Sequence, residues 1–333
     1  MLLVRPKPKR DESLMGYIVR LTEANGYDTP AWVLQMAGLR YGLQQTCAFI
    51  FSPAETLAGL ARISGIGISE LAPLTYPYDE HSSVTTSRLF YGNSVPRYAI
   101  CSVRPKVCPP CLLEAAYCRR IWDLCIVTAC PVHRCVLIDE CPACGWRITW
   151  LRPGLSTCRM CGLDWRGCAL RKIGETDLKV TLHAYRLCGL PTIQNPRDVL
   201  AGRNPVLSLN LEGFLRAMLF IAGRRTTPRD GRHTYRDTAA NSAASLHELF
   251  IGAFSVFENW PEQCPSLHRW RADQRRSTAT PRRDLKFRAS KQYEYGDFYY
   301  ALHGKLTGAQ FAPLRRAYST YIREHRQREY AQT

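Results

Sequence analysis

The chain has 333 residues, enough for two or three domains, and its 46 % hydrophobic and 22 % charged residues exclude a disordered polymer. It carries 45 Lys and Arg against 28 Asp and Glu, a formal +17; counting seven thiolates and two divalent ions leaves about +14, which points to a polyanionic partner, DNA or RNA. The stretch from Met1 to Arg10 has no signal-peptide core and the most apolar helical stretch, Phe214 to Ala222, contains Arg216, so a cytoplasmic protein with no membrane partner is expected, and in that compartment fifteen cysteines argue for metal rather than disulfides.

Taken in chain order, the pattern predicts a mainly α protein in three parts: an N-terminal helical domain resembling a helix-turn-helix over 1–100, a double metal-binding domain over 101–170 built of tandem zinc-ribbon-like knuckles, and a basic helical C-terminal domain over 171–333. Asp11-Glu12-Ser13 starts a helix with Leu14, Ile18 and Leu21 on one face, stopped at Asn25-Gly26. Thr29-Pro30 opens a second helix with Trp32, Val33 and Met36, ending near Gly38. Ser52-Pro53-Ala54-Glu55 has the form of a capping box with proline at the first helical position. Gly65-Ile66-Gly67 then turns the chain into a short helix at Ser69-Glu70-Leu71. Helix, glycine turn, helix is the helix-turn-helix outline, which equally suits packing or partner docking. Residues 76–104, broken by Pro77, Pro96 and Pro105, read as irregular. Beyond the cysteines, apolar helical stripes recur around Leu209–Ile221, Leu246–Phe257 and Phe311–Arg328. Basic connectors containing Arg224, Arg225, Arg275, Arg276, Arg282 and Arg283 separate them. With Arg5, Lys7, Lys9 and Arg10, these are the candidate contacts to nucleic acid or a partner.

Four knuckles occupy the middle: Cys108-Pro-Pro-Cys111, Cys130-Pro-Val-His133, Cys141-Pro-Ala-Cys144 and Cys158-Arg-Met-Cys161. A two-residue gap lets a tight turn aim both ligands at one ion, and two such turns supply a tetrahedral set, so two structural Zn²⁺ are expected. Gly145 and Gly162 follow the second cysteine of their knuckles, where a positive φ is often needed. Sequential pairing, first with second and third with fourth, is the simplest arrangement, and spacing alone is also compatible with an interleaved cross-brace. Cys135 competes with His133 as fourth ligand; His133 is preferred because it keeps the two-residue gap. With four protein ligands in each set, no position is left for a reactive water. No βαβ pattern surrounds Cys108-Pro-Pro-Cys111, against redox use, and there is no phosphate loop, His-Glu-x-x-His or Gly-x-Ser-x-Gly. A non-enzyme is expected, although Asp79, Asp139 and Asp164 could be assembled into a nuclease site on paper.

Arg5-Pro6-Lys7-Pro8, Asp11-Glu12-Ser13-Leu14, Tyr17-Ile18-Val19-Arg20 and Asn25-Gly26-Tyr27, with the knuckles around Trp122, Leu137, Gly145 and Gly162, resemble the TniQ family of Tn7-like transposons. Phe257-Glu-Asn-Trp260-Pro261 resembles the related TnsD proteins. The resemblance implies a bacterial target-selection adaptor that helps recruit the transposon AAA+ ATPase (TnsC-like) and through it the transposase. Some members read an attachment site in DNA directly. Others, in CRISPR-associated transposons, dock on an RNA-guided complex such as Cascade, often as a homodimer. The opening motif most resembles the Cascade-docking members. An autonomous, sequence-specific DNA binder of TnsD type is the alternative.

Overall fold

The computed structural model describes residues 1–40, 48–82, 86–101, 103–192, 204–222, 242–264 and 291–331. Arg224, Arg225, Arg275, Arg276, Arg282, Arg283 and Cys47 lie outside the described residues. The chain divides into two compact units. The described parts of Met1–Val199 and Gly231–Glu248 form one, and those of Leu200–Asp230 and Leu249–Thr333 the other. Helices dominate both, and the sheets among the described residues are two-stranded hairpins. Among the described residues no single helix is long and apolar enough to cross a membrane.

Helix α1 (Leu14–Ala24) begins at Ser13, whose hydroxyl accepts from Gly16 N at 3.2 Å, the side-chain cap that satisfies an otherwise orphaned helical amide. Leu14, Tyr17, Ile18, Val19 and Leu21 are buried. Helix α2 (Ala31–Met36) starts behind Pro30 and buries Val33 and Leu34, leaving Trp32 and Met36 outside. The expected capping box does not form. Residues Ala48–Phe51 already coil as a 3₁₀ turn, the Ser52 hydroxyl donates back to Ala48 O at 3.4 Å, and Ala54–Leu57 is a second 3₁₀ turn without a side-chain cap. Helix α3 (Ala58–Ser64) follows and ends at Gly65 (φ +68°). Across Gly65-Ile66-Gly67 the chain enters α4 (Ile68–Leu71); segments Ala54–Ser64 and Ile68–Leu74 meet at 112°, inside the helix-turn-helix range.

Residues 87–96 are not irregular. β1 (Ser87–Phe90) and β2 (Asn93–Pro96) pair antiparallel, Phe90 opposite Asn93 and Ser87 opposite Pro96. Tyr91 (φ 46°) and Gly92 (φ 73°) make the turn, both positive as a two-residue hairpin loop requires. Helix α5 (Pro109–Glu114), the short hairpin of β3 (Ala129–Cys130) and β4 (Cys135–Val136), and α6 (Lys179–Leu187) complete the main elements before residue 199. Leu178 and Leu182 of this last region cluster with Ala129 and half-buried Ile173.

Helix α1 is tied to the cysteine-rich segment at several points. Ser13 N donates to Cys118 O at 3.0 Å, Arg120 N to Asp11 O at 2.6 Å, and Leu155 N to the Glu23 carboxylate at 3.2 Å. Arg119 pairs with Asp11 at 3.1 Å. A Cβ on Gly16 would stand 2.7 Å from Cys118 Cβ, so only glycine permits this approach.

In the second unit, α7 (Leu211–Ile221) is capped by the Asn210 side chain, which accepts from Gly213 N at 2.8 Å. With α8 (Ala243–Glu258, whose first residues belong to the first unit), α9 (Lys291–Lys305) and α10 (Ala312–Ala331) it makes the helical set. Phe257, Trp260, Phe298 and Tyr318 pack edge to face and tilted, with centroids 5.0 to 6.3 Å apart, which adds orientation preference to their burial.

Candidate metal centres

Two groups of donor atoms are brought together: Cys108, Cys111, Cys130 and His133 in one, Cys141, Cys144, Cys158 and Cys161 in the other, each set mutually within 4.8 Å. The first knuckle therefore meets the second and the third meets the fourth. In the first group Cys108 is the N-cap of α5 and Cys111 lies in its first turn; Cys130 ends β3, and His133 sits in the hairpin turn. His133 Nδ1 faces the sulfurs of Cys108, Cys111 and Cys130 at 3.4, 3.2 and 3.5 Å, and Cys111 and Cys130 are 3.6 Å apart. In the second group Cys141–Cys161 and Cys144–Cys158 are each 3.7 Å apart. A tetrahedral ion with metal–sulfur bonds near 2.3 Å and a metal–nitrogen bond near 2.0 Å requires about 3.8 Å between sulfurs and about 3.5 Å from sulfur to nitrogen. Both sets fit, so the chain can hold two metal ions.

Cys135 is fully buried, opposite Cys130 in the hairpin register, with its sulfur 3.8 Å from Cys108. It does not belong to the mutually close set; His133 does. The second nitrogen of that histidine, Nε2, lies 2.9 Å from Glu114 Oε1. A ligating imidazole is oriented by such a carboxylate on its far nitrogen. Glu114 was missed in the sequence, although it stands three residues after Cys111 on the same helix.

The second centre is built by two near-identical turns. Gly145 N donates to Cys141 O and Gly162 N to Cys158 O, while Cys141 N donates to Trp146 O and Cys158 N to Leu163 O. Both glycines are left-handed, at φ +68° and +74°. The amides at the knuckle act on the sulfurs as well. Burial raises the Cys141 thiol, but hydrogen bonds from the backbone N–H groups of Cys144 and Ala143 and from the Trp165 and Cys158 side chains together outweigh it, and the group falls to about 6. In the first centre, hydrogen bonds from Cys108 and Cys111 draw Cys130 far below the usual thiol range, against burial. The neighbouring sulfurs of Cys108, Cys111, Cys144 and Cys158 shift the other way, upward, so each set holds one favoured thiolate among thiols whose protons a bound cation would displace.

Arg152 organises the base of the second centre. It is 1 % exposed, lies near the Trp150 and Trp165 rings at 5.3 and 5.8 Å, and donates to the carbonyls of Thr149, Gly154 and Leu155 and to Cys118 sulfur. Its planar fork and weak hydration suit it to this task. Among the described residues Asp79, Asp139 and Asp164 do not form a close donor group: the Asp79 carboxylate accepts from His81 N, Asp139 is held by Arg104 at 2.6 Å and by Ala243 N, and Asp164 by Arg166.

The fold and these centres define a helical protein whose first unit carries two cysteine-rich clusters able to hold a metal ion each. Residues 3–137 match the TniQ family model, and the matched stretch takes in α1 to α5, the 87–96 hairpin and the first centre and stops short of Cys141. No curated protein matches the chain.

Proposed function

We propose that this protein is a non-catalytic target-selection adaptor of a Tn7-like transposon, with a structural Zn²⁺ in each centre. The TniQ match over 3–137 carries the reading. It is supported by the saturation of both centres with protein ligands, which leaves the metals a bracing role. The adaptor links a target-marking complex (a Cascade-type RNA-guided effector of a CRISPR-associated transposon) or target DNA to the transposon AAA+ ATPase, and a homodimer would present two docking faces. DNA or RNA backbone is a further partner on the strength of the +17 charge.

The alternative, an autonomous DNA binder reading bases through the helix-turn-helix, is disfavoured by the outer face of α4. That helix is one turn long and exposes Ile68, Ser69 and Glu70, with no cation among them. The experiment is a reconstituted insertion assay with and without the chain. Site-directed insertion should depend on it; unchanged targeting in its absence would remove the proposal. Duplex affinity without sequence preference would further separate it from the alternative.

A further inference from the structure

Residues 2–10 form no helix or strand, and three side chains hold their backbone in place. Leu2 N donates to Ile63 O at 3.0 Å. The Asn25 side chain accepts from Leu3 N and Val4 N, both at 3.0 Å, and donates to Val4 O at 2.7 Å. Arg20 donates to Lys7 O at 2.8 Å, and the Glu12 carboxylate accepts from Lys9 N at 3.0 Å. Pro6 and Pro8 are half-buried, while Arg5, Lys7, Lys9 and Arg10 are exposed. Arg5, Lys7 and Lys9 alternate with these prolines, so exposed cations and half-buried prolines take turns along the segment.

The nearby carboxylates are already engaged. Glu12 is buried and bound by Arg20 at 2.7 Å, and Asp11 is bound by Arg119. Among the described residues no carboxylate lies within ion-pair distance of Arg5, Lys7, Lys9 or Arg10. Four uncompensated cations therefore stand on a backbone whose ordering has been achieved before any partner arrives, which lowers the entropy lost on binding. Residues 1–16 contain no aromatic residue, so the arm itself offers no platform for stacking unpaired bases.

We propose that residues 5–10 form a preordered rail that tracks the phosphates of duplex DNA without reading sequence. Arg5, Lys7, Lys9 and Arg10 are the contacts, and Asn25 and Arg20 are positioning residues. The proposal deepens the adaptor reading by giving it a DNA surface and rests on that reading only for the choice of DNA over another polyanion.

The test is fluorescence anisotropy of the purified, metal-loaded full chain on a duplex of about 25 base pairs of arbitrary sequence, over about 50 to 300 mM salt. Each phosphate contact contributes about 0.9 to the slope of log affinity against log salt. The R5Q/K7Q/K9Q/R10Q variant, altered only at exposed positions, should lower that slope by about 3 to 4 and weaken binding on the order of 100-fold at low salt. Asn25→Ala, which frees the backbone but keeps every charge, should weaken binding several-fold with the slope retained. A parental slope in the quadruple variant, with its melting curve unchanged, would overturn the proposal. So would tighter, arm-dependent binding to duplex or single-stranded RNA of equal length, or to an acidic protein surface with no duplex binding. Insertion assays report separately on the adaptor role: loss of DNA binding with targeting intact sinks the rail alone, and intact DNA binding with no role in targeting sinks the adaptor alone.

Discussion

His133 presents Nδ1 to three sulfurs and Nε2 to Glu114, and Cys135 waits one sulfur away from Cys108. The geometry makes the two candidates for the fourth ligand separable. Cys135→Ser should retain two metal ions per chain by elemental analysis, while His133→Ala should retain one. Glu114→Gln keeps the shape but loses the carboxylate, and should weaken the first ion about 10- to 100-fold in chelator competition. A second residue-scale expectation concerns Asp123. It is fully buried, hydrogen-bonded to the Tyr76 hydroxyl, and burial pushes its carboxyl up to about 7, against the lowering effects of Tyr76, Lys106 and Arg120. An acid raised in the folded state holds its proton when the unfolded chain has lost it. The stability tied to that proton is present below about pH 4 and is lost as pH rises to about 7. Relative to Asp123→Asn, which cannot titrate, the parent should lose roughly 3 to 4 kcal/mol across that interval and little more above it. Denaturant melts of both proteins at several pH values measure the difference; a constant offset would show that Asp123 titrates normally.

At the scale of elements, the two knuckles of the second centre are turns closed by the same pair of backbone hydrogen bonds and by a left-handed glycine. Gly145 and Gly162 have open space where a Cβ would go, so substitution there meets strain rather than a clash. Gly145→Ala should cost about 1 to 2 kcal/mol, and Gly145→Asn distinctly less, because asparagine tolerates the left-handed region. Calorimetric melting with both metals bound checks the order. Ser13→Ala removes the α1 cap and should cost about 1 kcal/mol in the same measurement. These elements also explain what the sequence could reveal. Each knuckle is written in four consecutive residues, and α1 in a cap followed by a regular stripe, so local spacing sufficed. The hairpin at 87–96 was hidden because its turn places Tyr91, a residue rarely at positive φ, before Gly92. The capping box at Ser52 failed because the preceding 3₁₀ turn offers Ser52 the Ala48 carbonyl instead. Knuckle partnership and the Glu114 contact depend on where distant segments meet, which no local pattern encodes.

Over the whole molecule, metal dependence should be uneven. In the first unit, both centres lie where many contacts converge. Val107 pairs with Ile138 beside the first, Arg152 reaches from the base of the second to Cys118, and Cys118 in turn meets Ser13 and Gly16 of α1. Removing the ions leaves eight close donors without a cation, and metal binding to such sites is folding free energy. The described residues of the second unit include no metal-binding group; their core is apolar, with Leu215, Met218, Phe257, Phe298 and Tyr318 all buried. A strong chelator should therefore abolish cooperative melting of the first unit while part of the helical circular dichroism survives and melts separately. Proteolysis under the same conditions should cut within residues 101–170 before it cuts α7 or α10. Loss of all helical signal in one step would show that the second unit depends on the metals too. Full retention of signal and protease resistance after verified metal removal would show that contacts such as those of Arg152 hold the knuckles without their ions.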